Sequence, residues 1–270
     1  MDKIDKAAVE LGEMDELSAM DSPVHALHPL AKLLVTLGDI FTVLSFDRYD
    51  FSGLWVLLLC PVFLYQLSGI PLSTCFRKLR VVLPLVCAVG VVNPFLDREI
   101  LFSVGGVGIS GGIVSMLTLM LKGVLCLLSS FLLAATTGMD SLCAALRKLR
   151  VPKMLVTLLL LTYRYISVML EELSVMTAAY RLRAPGQKGI HYSAWGSFLG
   201  QLLLRTMDRA EELYNAMQLR GFDGEFSYAE CERARAGDFL FMVLSIGFLA
   251  LCRRFNLTAL LGSVMTGGRI

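Results

Sequence analysis

At 270 residues, 56% of them hydrophobic and with a mean hydropathy of +0.66, the chain is too apolar for an ordinary soluble domain and reads as a polytopic membrane protein. A net charge of +2 leaves no basic field of the kind that holds nucleic acid, so that partner class is excluded. Seven cysteines (Cys60, Cys75, Cys87, Cys126, Cys143, Cys231 and Cys252) are scattered mostly through apolar runs without a C-x-x-C pair. They read as small buried hydrophobes, not disulfides or metal ligands.

Residues 1–28 are polar, carry both charge signs and lack an h-region, so no cleavable signal is expected. Ile4, Ala7, Ala8, Leu11 and Met14 can share one face of a short interfacial helix. His25 and His28 sit three apart. Two imidazoles do not fill a coordination shell, and Pro29 interrupts a helix that would present both, so the stretch reads as a structured entry to the first span.

Apolar runs predict spans over Leu30–Phe46, Phe51–Ile70, Val81–Leu96 and Gly112–Thr137. Asp47–Asp50 is a polar turn, and Trp55 near the start of the second run suits a membrane interface. Arg77, Lys78 and Arg80 make the loop after Pro71 basic, which places it in the cytosol by the positive-inside rule. The glycine-rich connection around Gly105–Gly112 has no G-x-x-x-x-G-K pattern, so it reads as a tight, hairpin-like link and not a nucleotide loop. Lys122 within the fourth span either snorkels or faces the bundle.

At Thr137 the character changes. Met139–Arg150 predicts a short basic helix with Asp140 as its cap. Pro152 opens a long amphipathic helix to Arg183, ended by Pro185-Gly186. Arg164 near its middle and Glu171-Glu172 after its most apolar part favour a helix at the membrane–cytosol boundary over a crossing one, because each mid-bilayer charge costs about 2.5–3.5 kcal/mol. A second amphipathic helix begins near Gly196. Leu199, Leu203, Met207, Ala210, Leu213 or Tyr214, and Met217 form one stripe; Arg205, Asp208, Arg209, Glu211, Glu212, Asn215 and Gln218 oppose it. Gly221 stops this helix in the manner of a left-handed C-cap. Each long helix thus ends in an arginine beside a breaker, Arg183 and Arg220. A fifth span is predicted over Asp238–Leu251, with Arg253 and Arg254 fitting poorly at an outward end. The division is 1–29 as a cytosolic lead, 30–137 as four transmembrane helices, 138–236 as a cytosolic region and 237–270 as a last transmembrane helix.

The chain resembles the transmembrane T-component of energy-coupling-factor transporters, specifically the cobalt-type CbiQ branch. The resemblance runs through Asp21–His25 with Leu27–Leu34, Asn93–Arg98, Ala135–Thr137 and Leu146–Pro152. It is most specific at Leu160–Tyr165 with Glu171-Glu172, and at Arg205–Glu225. It implies an all-α polytopic membrane protein of about five transmembrane helices plus three cytosolic amphipathic coupling helices, the last two crossing as an X.

It further implies that an Ala-Arg-Gly type motif at each tip meets acidic residues on one of two ABC-type ATPase subunits. The second motif carries over as Leu219-Arg220-Gly221, with leucine for alanine. The first falls at Arg183-Ala184, with Arg181 as the competing arginine, and its spacing departs from the triplet. Arg164, Glu171, Glu172 and Arg209 are expected to support the arms. No cofactor or metal is expected on this chain and no catalytic residue; ATP belongs to the partners. A substrate-capture membrane subunit is the remaining partner, in the plasma membrane of a prokaryote, with cobalt as substrate and nickel or a vitamin as alternatives. A membrane enzyme would need acid–base or metal clusters on facing helices, which the sequence does not offer; a passive scaffold is the third reading.

Overall fold

A computed structural model describes residues 3–47, 51–70, 74, 77, 80, 84, 86–88, 90–91, 100–104, 107–187, 189–222, 224 and 235–254. The fold is that of an all-α polytopic membrane protein. Helices are α1 (Lys3–Ser18), α2 (Pro29–Ser45), α3 (Phe51–Leu57), α4 (Leu59–Ser68), α5 (Gly111–Thr136), α6 (Met139–Lys148), α7 (Lys153–Arg183), α8 (Trp195–Leu219) and α9 (Ala236–Arg254). A small antiparallel hairpin joins β1 (Ile100–Val104) to β2 (Val107–Ser110), with Val104 opposite Val107. The residues at 48–50, most of the third expected span and 93–99 lie outside the described residues.

Two compact units emerge, one of Met1–Glu16 with Met139–Cys231, the other of Leu17–Gly138 with Glu232–Ile270. In the second unit α2 packs on α5 and α9, and α3 and α4 pack on α5. One core gathers Val43, Phe46, Leu54, Leu57, Leu125, Leu249 and Cys252; another gathers Tyr65, Ile70, Leu128, Leu132 and Ala135. Phe41, Leu44, Phe63, Leu240 and Leu244 face outward. In water such a surface is an aggregation hazard, whereas lipid accepts it. Lys122 faces the bundle, its Nζ donating to the Phe46 carbonyl. Arg253 donates from Nε to Ser45 Oγ at 3.1 Å and lies 5.3 Å from the Phe46 ring centroid. Both cations therefore answer the C-terminal end of α2, where unpaired carbonyls favour positive charge.

One expectation, on Asp140, needs correction. The second expected span is helical from Phe51 to Ser68 and loosened at the single residue Leu58, whose N–H still bonds Leu54 O at 3.2 Å and whose carbonyl accepts from Val62 N–H at 3.3 Å. Pro61 has no N–H to offer the carbonyl four residues back at Leu57, and the loosening falls there. Thr74, Arg77 and Arg80 are helical; the rest of the basic connection expected over Cys75–Arg80 lies outside the described residues. Asp140 lies within the first turn of α6 and its carboxylate meets Arg164, so it does not serve as the N-cap. Among the described residues, three helices are long and apolar enough to cross a membrane: α5, α7 and α9.

Candidate functional site

The first unit is built on α6 and α7. Cys143, Val156 and Leu160 are buried together, with Met139, Leu146 and Val151 packed around them. Arg150 takes φ 63° between the two helices, and Pro152 caps α7. Proline at a helix start loses nothing, since its missing N–H would have had no partner there.

Polar ties then run along α7. Tyr163 donates its hydroxyl to Asp15 on α1. Arg164 Nη2 meets Asp140 Oδ1 at 3.1 Å on α6. Glu172 pairs with Arg205 on α8. The Arg164–Asp140 pair is exposed, so it adds ~0.2–1 kcal/mol and mainly fixes geometry. Glu172–Arg205 joins the two long helices partway along each. At 1.5 Å per residue, Arg183 lies ~17 Å beyond this tie along α7 and Arg220 ~23 Å beyond it along α8.

The two tips differ in construction. Ala184 N–H bonds the Tyr180 carbonyl at 3.0 Å, and Gln187 N–H reaches Ala184 O at 3.4 Å. With Pro185 second and Gly186 third at φ 90°, this is a proline–glycine turn of the type that requires positive φ at its third residue. Tyr180 secures the turn: its hydroxyl donates to Gln187 Oε1 at 3.0 Å and accepts from His191 N–H at 3.2 Å. The second tip is a Schellman cap. Gly221 adopts φ 76°, its N–H bonds Gln218 O at 2.9 Å, and Phe222 N–H bonds Met217 O at 3.0 Å. Two orphan carbonyls of α8 are thereby satisfied, and the chain turns away sharply after Arg220.

Arg183, Leu219, Arg220 and Gly221 are exposed, and Ala184 is half-buried. Each arginine follows an outward leucine, Leu182 being 84% and Leu219 90% exposed. Arg181 is engaged within the chain; no partner for the Arg183 or Arg220 guanidinium occurs among the described residues. Of the expected supports, Arg164 and Glu172 are paired as above. Glu171 and Arg209 are exposed and meet no charged partner among the described residues.

Sequence reasoning passed over Asp39. It is buried in α2 and accepts a hydrogen bond from Ser129 of α5, while its Oδ1 has no partner among the described residues. A lone carboxylate in an apolar 17-residue helix was the available signal. The two histidines support the entry to α2. His28 Nδ1 accepts from Leu30 N–H at 3.1 Å, and His25 bridges Ser22 Oγ and the Leu17 carbonyl.

Apolar helices of spanning length, together with long amphipathic helices that end in exposed arginines, define a membrane protein of the helical class. The family model of the cobalt transport protein CbiQ matches residues 20–228, and the chain belongs to that family. A cobalt transport protein CbiQ of Rhodobacter capsulatus is 32% identical over 117 residues, covering 42% of this chain and 47% of that protein. An energy-coupling factor transporter transmembrane protein EcfT of Thermanaerovibrio acidaminovorans is 31% identical across 76% of this chain and 80% of its own length. A nickel permease LarQ of Lactiplantibacillus plantarum is 30% identical across 39% and 38%. The chain is a transmembrane component of the energy-coupling-factor transporter type.

Proposed function

We propose that this chain is the coupling subunit of an ATP-driven importer for cobalt ion. It is not itself catalytic. ATP is bound and hydrolysed on two ABC-type ATPase subunits, and a separate membrane subunit captures the substrate. The observation that carries this reading is the pair of long helices ending in outward arginines and tied together by Glu172–Arg205. A guanidinium offers a planar fork that grips a carboxylate in two parallel bonds, and a capped helix end delivers it with little freedom to lose. Arg183 is the better first prong, because Arg181 is engaged within the chain.

Movement of the ATPases on binding ATP is carried by both arms at once. The outward apolar residues of the arms, such as Leu199, Leu203 and Met207 on α8, face lipid and the capture subunit. On this reading α7 lies at the membrane–cytosol boundary, with the arms in the cytosol of a prokaryotic cell; the grouping of α7 with α6 and α8 in one unit supports it. Nickel is the second substrate reading, favoured by the named function of one relative.

Vesicles reconstituted with this chain, the two ATPases and the capture subunit test the proposal. Cobalt ion uptake that requires ATP, exceeds nickel ion uptake and disappears when this chain is omitted is the expected result. Uptake unaffected by the omission would overturn it; preference for nickel would replace only the substrate.

A further inference from the structure

The chain passes between its two units at three places, after Glu16, after Gly138 and after Cys231. Within the second unit, the residues flanking all three passages meet in one buried polar cluster. Lys32 is 6% exposed and Asp238 7% exposed. Lys32 Nζ donates to the Thr136 carbonyl at 2.7 Å and the His25 carbonyl at 3.3 Å. Asp238 Oδ1 accepts from His28 N–H at 3.0 Å, and its Oδ2 accepts from Arg235 N–H at 2.7 Å. His25 Nε2 in turn donates to the Leu17 carbonyl at 3.0 Å; a carbonyl only accepts, so the proton is on Nε2.

The charges match the helix ends they touch. Thr136 closes α5, where the last carbonyls have no intrahelical donor and favour a cation. His28 is the N-cap of α2, and Arg235 directly precedes α9. Both present N–H groups that favour an anion, and the return of Asp238 to Arg235 N–H is one half of a capping box. One ammonium therefore holds the end of α5, and one carboxylate holds the starts of α2 and α9. Apolar packing would have held three helices together more simply. Buried charges held by helix-end carbonyls and amides contribute geometry more readily than net stability.

We propose that Lys32 and Asp238 are positioning residues for coupling: they lock the three helix ends from which the chain leaves the spans, so that motion arriving along the chain moves α2, α5 and α9 as one body. This rests on the coupling function proposed above. The test compares wild type with Lys32→Met and Asp238→Asn in the full complex with both ATPases and the capture subunit, reading cobalt ion taken up per ATP hydrolysed. That ratio should fall about tenfold, within the usual range of coupling between sites, while the ATPases still assemble and still hydrolyse ATP. Lys32→Arg should recover part of the ratio by restoring the cation. A ratio equal to wild type, with only the amount of folded complex reduced, would overturn the proposal and leave the cluster a structural one. Wild type that assembles with no ATPase would instead overturn the coupling reading itself.

Hydrogen exchange on the unaltered complex gives a second measurement that does not depend on the variants folding. The His28 and Arg235 amides should stay protected both without nucleotide and with ATP bound. Loss of protection on ATP binding would show that the joint opens, and the proposal would fall.

Discussion

Gly221 stands at φ 76°, and a Cβ added there would meet nothing within 4 Å. Space is therefore not the constraint; the left-handed backbone is, at about 1–2 kcal/mol for a residue with a side chain. Gly221→Ala should lower stability by about 1 kcal/mol, and Gly221→Asn by less, since asparagine tolerates that region. Thermal unfolding of the purified chain in detergent checks the order; equal melting of all three would show that the cap is not built on this angle. Cys143 makes a second prediction at this scale. Its thiol is buried, and burial first, then Asp140, push its pKa above the ordinary 9.0. It should resist maleimide at neutral pH until the α6–α7 core is unfolded. The sign follows from linkage: below the unfolded value the thiol is protonated in both states, and its contribution is intact. As pH rises past 9.0, the unfolded chain releases the proton more readily, so stability contributed by this group declines in alkali. Rapid labelling of folded protein at neutral pH would contradict the packing of Cys143 against Val156 and Leu160.

Among the elements, Tyr180 decides how firmly the first tip is held. Tyr180→Phe removes the bonds to Gln187 and His191, each worth about 0.5–1.5 kcal/mol. Limited proteolysis between 184 and 191 should then quicken about fivefold, as a local loss near 1 kcal/mol requires, with little change in overall melting. Unchanged cleavage would mean that the proline–glycine turn holds itself. Much of this level was legible in the sequence because glycine and proline punctuate it. Gly221, Pro152 and Pro185-Gly186 each mark a helix end found within a residue or two of its expected place. The loosening of the helix at Leu58 was written just as plainly in Pro61, but the surrounding apolar run concealed it. Asp140 shows the opposite failure. Its position near a helix start matched a cap, and only the fold reveals that Arg164, 24 residues on, competes for the carboxylate.

For the whole molecule, periodicity separates lipid-compatible runs from amphipathic ones because a bilayer penalises charge so heavily. It does not reveal which distant charges meet. His28 and Asp238 are 210 residues apart, and Lys32 reaches Thr136 across 104; nothing local in either stretch names its partner. Asp39 illustrates the same limit, since a carboxylate in a span is visible but Ser129 is not. The arginine tips were legible through their breakers, whereas the Glu172–Arg205 tie between the arms needed the structure.

The most direct test of the docking arms is co-purification from membrane extract of wild type, Arg183→Glu and Arg220→Glu with the two ATPase subunits. Wild type should retain both. Each reversal places a carboxylate against the acidic site expected on the partner and should lower retention at least tenfold, as truncation of one member of a desolvated charge pair does by ~2–5 kcal/mol. Arg220→Lys, which keeps the charge and loses the fork, should fall between. If all variants retain both ATPases and the same rate of ATP hydrolysis as wild type, the arginines merely end their helices and the arms do not dock through them.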